Sequence, residues 1–163
     1  MKQLLQQYAA YNIWANKKII ETANLLSEGQ INKEIVSSFP SVYKTVLHLM
    51  EVENVWWERL KLVERTTLSG WFTGTFDELS KKWIELSMQW HNWIQNANDA
   101  NISHVFAYQN SKKEHFKQPV YEMLLHLFNH QTFHRGQLIT MFRQLGIDKI
   151  PPTDFIVFSR SKK

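Results

Sequence analysis

The sequence predicts an all-α fold, a four-helix bundle with one long crossover link, and three observations carry that expectation. Four long stretches place apolar residues at helical spacing, and breaker-rich segments separate them. A chain of 163 residues is the size of one domain, so residues 1–163 are expected to form a single unit around one core. With 44% hydrophobic residues and only 5 Gly and 4 Pro, the composition excludes disorder and linker-rich architectures.

The first helix is expected over residues 2–27, where Leu4, Leu5, Tyr8, Tyr11, Ile19 and Ala23 fall near helical spacing and Gly29 provides a stop. The second opens near Pro40, whose missing N–H suits a first helical turn, and runs through Val42, Val46, Leu49, Val52 and Trp56 to Leu60. Residues 64–74 read as a turn-rich stretch of Thr, Ser and Gly around Trp71-Phe72. The third helix begins with a capping-box pattern, Thr75-Phe-Asp-Glu78, and buries Leu79, Trp83, Leu86, Trp90 and Trp93 or Ile94. The helical period then lapses over 98–118. There Val105, Phe106 and Tyr108, a polar turn over 109–114 and Phe116 suit a short β-hairpin. Pro119 opens the fourth helix and Gly146 closes it. Pro151-Pro152 bar any continuation, and the tail Phe155-Ile-Val-Phe158 is expected to pack back on the bundle.

Composition also narrows the chemistry. Zero Cys removes disulfides, thiolate metal sites, iron–sulfur clusters and a cysteine nucleophile, so any reacting thiol must arrive as a substrate. The net charge of +4 is spread over scattered pairs such as Lys17-Lys18 and Lys81-Lys82, which argues against a nucleic-acid partner. The opening Met-Lys-Gln-Leu-Leu-Gln-Gln is too polar for a signal sequence, and no apolar run approaches a membrane span. A cytoplasmic protein is expected.

Of the seven histidines, His91, His104 and His115 carry little information, and His126 begins a series that His130 and His134 continue. Residues four apart share one helical face, so His130 and His134 can converge on one ion. Both lie near the ridge of Met123, Leu127 and Met141, where dry imidazoles would each cost desolvation energy. An ion needs a third ligand from elsewhere, and His48, amid the apolar half of the second helix, is available. The competing reading is a pair of hydrogen-bonded core histidines. Each four-residue step turns about 40°, so His126 diverges from an ion shared by the other two and is read as an outer-sphere or packing residue. Other metal motifs fail: there is no repeated Glu-x-x-His, no His-Glu-x-x-His and no Cys-based deaminase pattern.

The segment Asn129-His-Gln-Thr-Phe-His-Arg-Gly-Gln137 resembles the signature of the DinB-like proteins, DNA-damage-inducible proteins and related metalloenzymes. Three further features match in order: Tyr11-Asn-x-Trp-Ala-Asn16, Leu47-His48 followed by Trp56-Trp57, and Arg143-Gln-Leu-Gly146. The resemblance implies a four-helix bundle and a divalent metal site formed by His48, His130 and His134. Some of these proteins transfer a low-molecular-weight thiol, and others are thiol-dependent isomerases.

Three neutral imidazoles leave an open coordination position, the arrangement of catalytic rather than structural zinc, and imidazole suits Ni, Fe and Co as well as Zn. A ligand at that position has its pKa lowered, which makes a thiolate or hydroxide available near neutral pH. The expected function is therefore a small metal-dependent enzyme that transfers a low-molecular-weight thiol to an electrophile or hydrolyses a small substrate. The alternative is a non-catalytic, metal-binding stress-response protein. The resemblance and the surplus of aromatic residues also imply a homodimer. Among neighbouring residues, Glu51 is expected to be a solvated acid, with outer-sphere orientation of an imidazole as its second reading. Arg135 is expected to pair at the surface or an interface. Gly136 is expected to allow close helix approach, and one of Trp56 and Trp57 to line a pocket or interface.

Overall fold

A computed structural model describes residues 1–62, 70–110 and 112–161. The elements, in chain order, are α1 (Lys2–Ala23), α2 (Glu28–Asn32), α3 (Val42–Leu60), α4 (Phe76–Asn96), α5 (Asp99–Ser103), β1 (Val105–Gln109), β2 (His115–Pro119), α6 (Val120–Gln144) and α7 (Phe155–Arg160). The four long helices form a bundle in which α1 and α3 each pack against both α4 and α6. Strands β1 and β2 pair antiparallel, with Val105 opposite Pro119 and Gln109 opposite His115. This hairpin fills the crossover between α4 and α6.

The helix boundaries follow local hydrogen bonding. Thr75 and Glu78 form the expected reciprocal cap, with Glu78 Oε2 accepting from the Thr75 N–H at 2.7 Å. Gly146 closes α6 in the left-handed region, at φ +90. Its N–H donates to Arg143 O and the Ile147 N–H donates to Phe142 O, a Schellman closure that satisfies the last carbonyls.

Three boundaries differ from expectation. Helix α1 ends at Ala23, because Ser27 adopts an extended conformation and caps a separate helix, α2, reciprocally with Gln30; Gly29 lies inside α2 and stops nothing. Ser41, not Pro40, caps α3, its hydroxyl accepting from the Lys44 N–H. The link 98–118 holds a helical turn as well as the hairpin, since Asn98 and Asn101 cap one another around α5. The tail forms α7, and Phe158 is buried against Tyr11 and Trp14. Within the expected turn-rich stretch 64–74, residues 63–69 lie outside the described residues, as does Ser111 of the 109–114 turn.

The apolar core has two main clusters, one at each end of the bundle. One gathers Ile19, Leu49, Met50, Trp83, Leu138 and Phe142, and the other Leu5, Trp90, Ile94, Met123 and Leu127. Between them, in the middle layer, lie buried polar residues from all four long helices: Asn12 and Asn16, Glu53, Ser87 and Arg135. No helix among the described residues is long and apolar enough to cross a membrane.

Candidate metal centre

Helices α3 and α6 bring His48, His130 and His134 together. One potential ligand atom from each lies within 4.8 Å of the others. Gln131 locks the two helices in register beside this cluster, its side-chain N–H donating to Leu49 O at 2.9 Å in the dry interior. The three imidazoles are therefore close enough to bind a metal ion.

The ring orientations suit a cation. His48 Nε2 and His130 Nε2 face one another at 3.0 Å. Two bare lone pairs at that separation repel unless a proton or a cation lies between them. An ion with the usual Zn–N bond length in tetrahedral geometry would hold them about 3.3 Å apart, close to what is found. His134 Nδ1 meets Gln137 Oε1 at 2.7 Å. Because that oxygen only accepts, Nδ1 carries the proton and Nε2 keeps its lone pair. Gln137 in turn donates to Ser38 Oγ at 2.9 Å, which fixes its amide. This supporting bond is the kind that orients a metal-binding histidine. His130 Nδ1 is buried without a hydrogen-bond partner, so that side of the ring is held by packing.

Aromatic side chains wall the cluster. Phe39 stacks on His48 with ring centroids 4.0 Å apart and meets His134 edge-on, and Phe133 also meets His134 edge-on, at 5.0 Å. Burial pushes His48 down to about 4, with His134 adding repulsion. Burial also takes His130 down to about 3, with repulsion from His134, His48 and His126. Both imidazoles are thus held neutral at pH 7, the state that ligates.

His126 stands apart from the cluster, its ring edge-on to Trp56 at 5.5 Å and 5.9 Å from His130. It is a neighbour, as its phase on the helix implies. Glu51 departs from expectation. It is buried rather than solvated, and its carboxylate accepts from the Gly70 N–H. Among the described residues, no carboxylate joins the three histidines.

Arg135 also departs from expectation, being buried at 1% exposure instead of pairing at the surface. It turns away from His134 into the middle layer, where its guanidinium donates to Asn12, Asn16 and Thr132. Gly136 faces open space rather than a close helix, since a Cβ there would meet nothing within 4 Å. Trp56 is buried, whereas Trp57 lines an open groove with Met88 and Trp93.

A mostly helical four-helix bundle with a three-histidine cluster able to accept a metal is the class that fold and site define together. The chain belongs to the DinB family, whose profile matches residues 1–162. It is 28% identical over 156 residues to the protein DinB of Bacillus subtilis, covering 89% of this chain and 87% of that protein. Two crystal structures share the fold. A DinB-like protein from Bacillus subtilis superposes with a TM-score of 0.70 at 13% identity, covering 91% of this chain and 98% of that one. A DinB-like protein from Bacillus cereus gives 0.65 at 16% identity, covering 85% and 89%.

Proposed function

We propose that this chain is a cytoplasmic metal-dependent enzyme. In this reading His48, His130 and His134 hold one divalent ion, and a low-molecular-weight thiol is transferred to an electrophile. The observation that carries it is the convergence of three imidazoles from two helices, with Gln137 turning the His134 lone pair inward.

A divalent ion (Zn, Ni, Fe or Co) bound there would act as a Lewis acid with an open position, lowering the pKa of a thiol or a water. The chain's own residues do the rest. Gln137 and Ser38 hold His134 in its ligating tautomer, and Phe39 covers the faces of His48 and His134 nearest it. In the transfer, the thiol gives up its proton and sulfur bonds to the electrophilic carbon. The leaving group departs with the bonding pair, so nothing is oxidised. Hydrolysis follows the same course with water as nucleophile.

The reading extends to residues 1–163 acting as one domain and to a homodimer through one bundle face, which light scattering at micromolar protein would reveal as twice the chain mass. The function itself is tested by elemental analysis of protein purified without a metal-affinity step, then by a panel of thiols with a reactive electrophile. The expected result is about one ion per chain, with turnover abolished by chelation. A metal-loaded protein that turns over neither thiol nor water substrates would leave the non-catalytic, metal-binding stress protein in its place.

A further inference from the structure

Further along α3 from the histidine cluster lies a cation that forms no ion pair with any acid among the described residues. Arg59, near the end of α3, is half-buried, and its Nε is buried without a hydrogen-bond partner. Its guanidinium lies over two rings, 4.6 Å from the Trp56 centroid and 5.2 Å from that of Tyr108. Burial presses its pKa down, with Tyr108 alone opposing.

From this cation a continuous path of rings leads to the centre: Trp56 meets His126 at 5.5 Å, and His126 meets His130 at 5.9 Å. Arg59 follows His48 by eleven residues, which returns it to the same face of α3, about 16 Å further along the axis. Helical side chains lean toward the N-terminus, so the guanidinium extends back toward the cluster. The β-hairpin supplies the second wall. Tyr108 on β1 is anchored by its hydroxyl, which donates to Gln118 Oε1 at 2.6 Å.

We infer that Arg59, framed by Trp56, Tyr108 and His126, is the subsite that binds the carboxylate of the thiol substrate while its sulfur reaches the histidine centre. The inference rests on the function proposed above for that centre. A stacked guanidinium whose Nε–H has no partner is a planar donor fork of the kind that takes a carboxylate, and a partly dehydrated site strengthens such a bond. The separation suits a thiol whose carboxylate lies several bonds from the sulfur.

The test compares mercaptoalkanoic acids of increasing chain length with mercaptoalkanols of equal length. Binding is read by the thiolate-to-cobalt absorption of Co(II)-loaded protein. At one chain length the acid should bind about tenfold tighter than the alcohol, the gain expected of a charge-assisted hydrogen bond. In Arg59→Gln that preference should vanish while cobalt uptake and melting temperature stay at wild-type values. Equal binding of acids and alcohols by wild type, or a preference that survives in Arg59→Gln, would overturn the subsite.

A second measurement needs no metal. The Arg59 Nε–H resonance of 15N-labelled protein, assigned by its absence in Arg59→Gln, should shift saturably with octanoate. A resonance unmoved by octanoate at tens of millimolar would overturn the subsite whatever the centre holds. A wild-type protein that takes up no cobalt, yet shifts that resonance, would keep the subsite and remove the proposed function.

Discussion

Arg135 donates to Asn12 Oδ1 at 2.7 Å, and the same Asn12 donates through Nδ2 to Glu53 Oε1 at 3.0 Å. One amide thus joins a buried cation to a buried acid. Asn16 runs in parallel, accepting from Arg135 and donating to Ser87, whose hydroxyl lies 2.9 Å from both Glu53 oxygens. The network takes one or two side chains from each of α1, α3, α4 and α6. Its Arg135 end adjoins His134 in sequence, so it braces the helix that carries two of the three imidazoles.

Replacing Arg135 with Met should destabilise the metal-free protein by about 3–5 kcal/mol, because Asn12, Asn16 and Glu53 lose their charged partner in the dry interior. Arg135→Lys should recover little, since an ammonium cannot span Asn12, Asn16 and Thr132 as the guanidinium does. Urea unfolding of the three proteins measures both effects. A loss below about 1 kcal/mol for Arg135→Met would mean that the network contributes little beyond packing.

Burial raises the Glu53 carboxyl to about 7, against hydrogen bonds from Ser87 and Asn12 and the charge of Arg135, all of which lower it. A raised acid keeps its proton in the native state while the unfolded chain releases it. Its contribution to stability is therefore present below the ordinary pKa near 4.5 and is lost as pH rises to about 7. Glu53→Gln removes that dependence. Relative to wild type, the variant should gain stability between pH 4.5 and pH 8, by about 3 kcal/mol at most. Urea titrations at the two pH values decide it, and a difference that stays constant or shrinks would contradict the shift.

The imidazoles act with the opposite sign. His48 at about 4 and His130 at about 3 refuse protons that the unfolded chain accepts below about 6.5. Stability of the metal-free protein should be intact above pH 6.5 and fall as pH drops toward 4 and 3. Both rings are only partly buried, so the combined loss should be about 2 kcal/mol. Measured in a Glu53→Gln background, a His48→Gln, His130→Gln double variant should lose most of this acid slope. An unchanged slope would show that other groups set it.

The fold was legible because α1, α3, α4 and α6 each repeat apolar residues at helical spacing and because Thr75-Glu78 and Gly146 mark ends by local hydrogen bonding. The short helices were not, since α2 and α5 are five residues each, too brief to show a period. The histidine cluster was legible from the spacing of His130 and His134 and from the place of His48 in the apolar half of α3, with resemblance to a family joining the three. Phe39, Ser38 and the role of Gln137 were not, because what they do depends on the 32–41 segment lying across α6. The central network does leave a signal in the sequence: Asn12, Asn16 and Glu53 sit in phase with the buried stripes of α1 and α3. The burial of Arg135 was not legible, because a turn away from His134 means exposure only on a helix with one buried side, whereas α6 is buried on two sides by α1 and α3.

Gln137 orients His134 without touching the position of an ion. Gln137→Ala should leave folding nearly unchanged but weaken zinc or cobalt affinity by about 10–100-fold, the usual cost of removing a supporting hydrogen bond from a metal-binding histidine. Gln137→Glu keeps an acceptor at the same reach and should restore most of it. Competition titration with a chromogenic chelator measures the affinities. Wild-type affinity in Gln137→Ala would contradict the orienting role.

The most direct test of the three-histidine centre is the rise in melting temperature caused by metal, compared for wild type, His134→Ala and His126→Ala at neutral pH. A ligand at a thousandfold excess over its Kd stabilises the native state by about 4 kcal/mol, enough for a shift of several degrees. Wild type and His126→Ala should show that rise in full. His134→Ala should show almost none, because two imidazoles hold an ion poorly. A rise in His134→Ala equal to that of wild type would place the metal elsewhere and contradict the account.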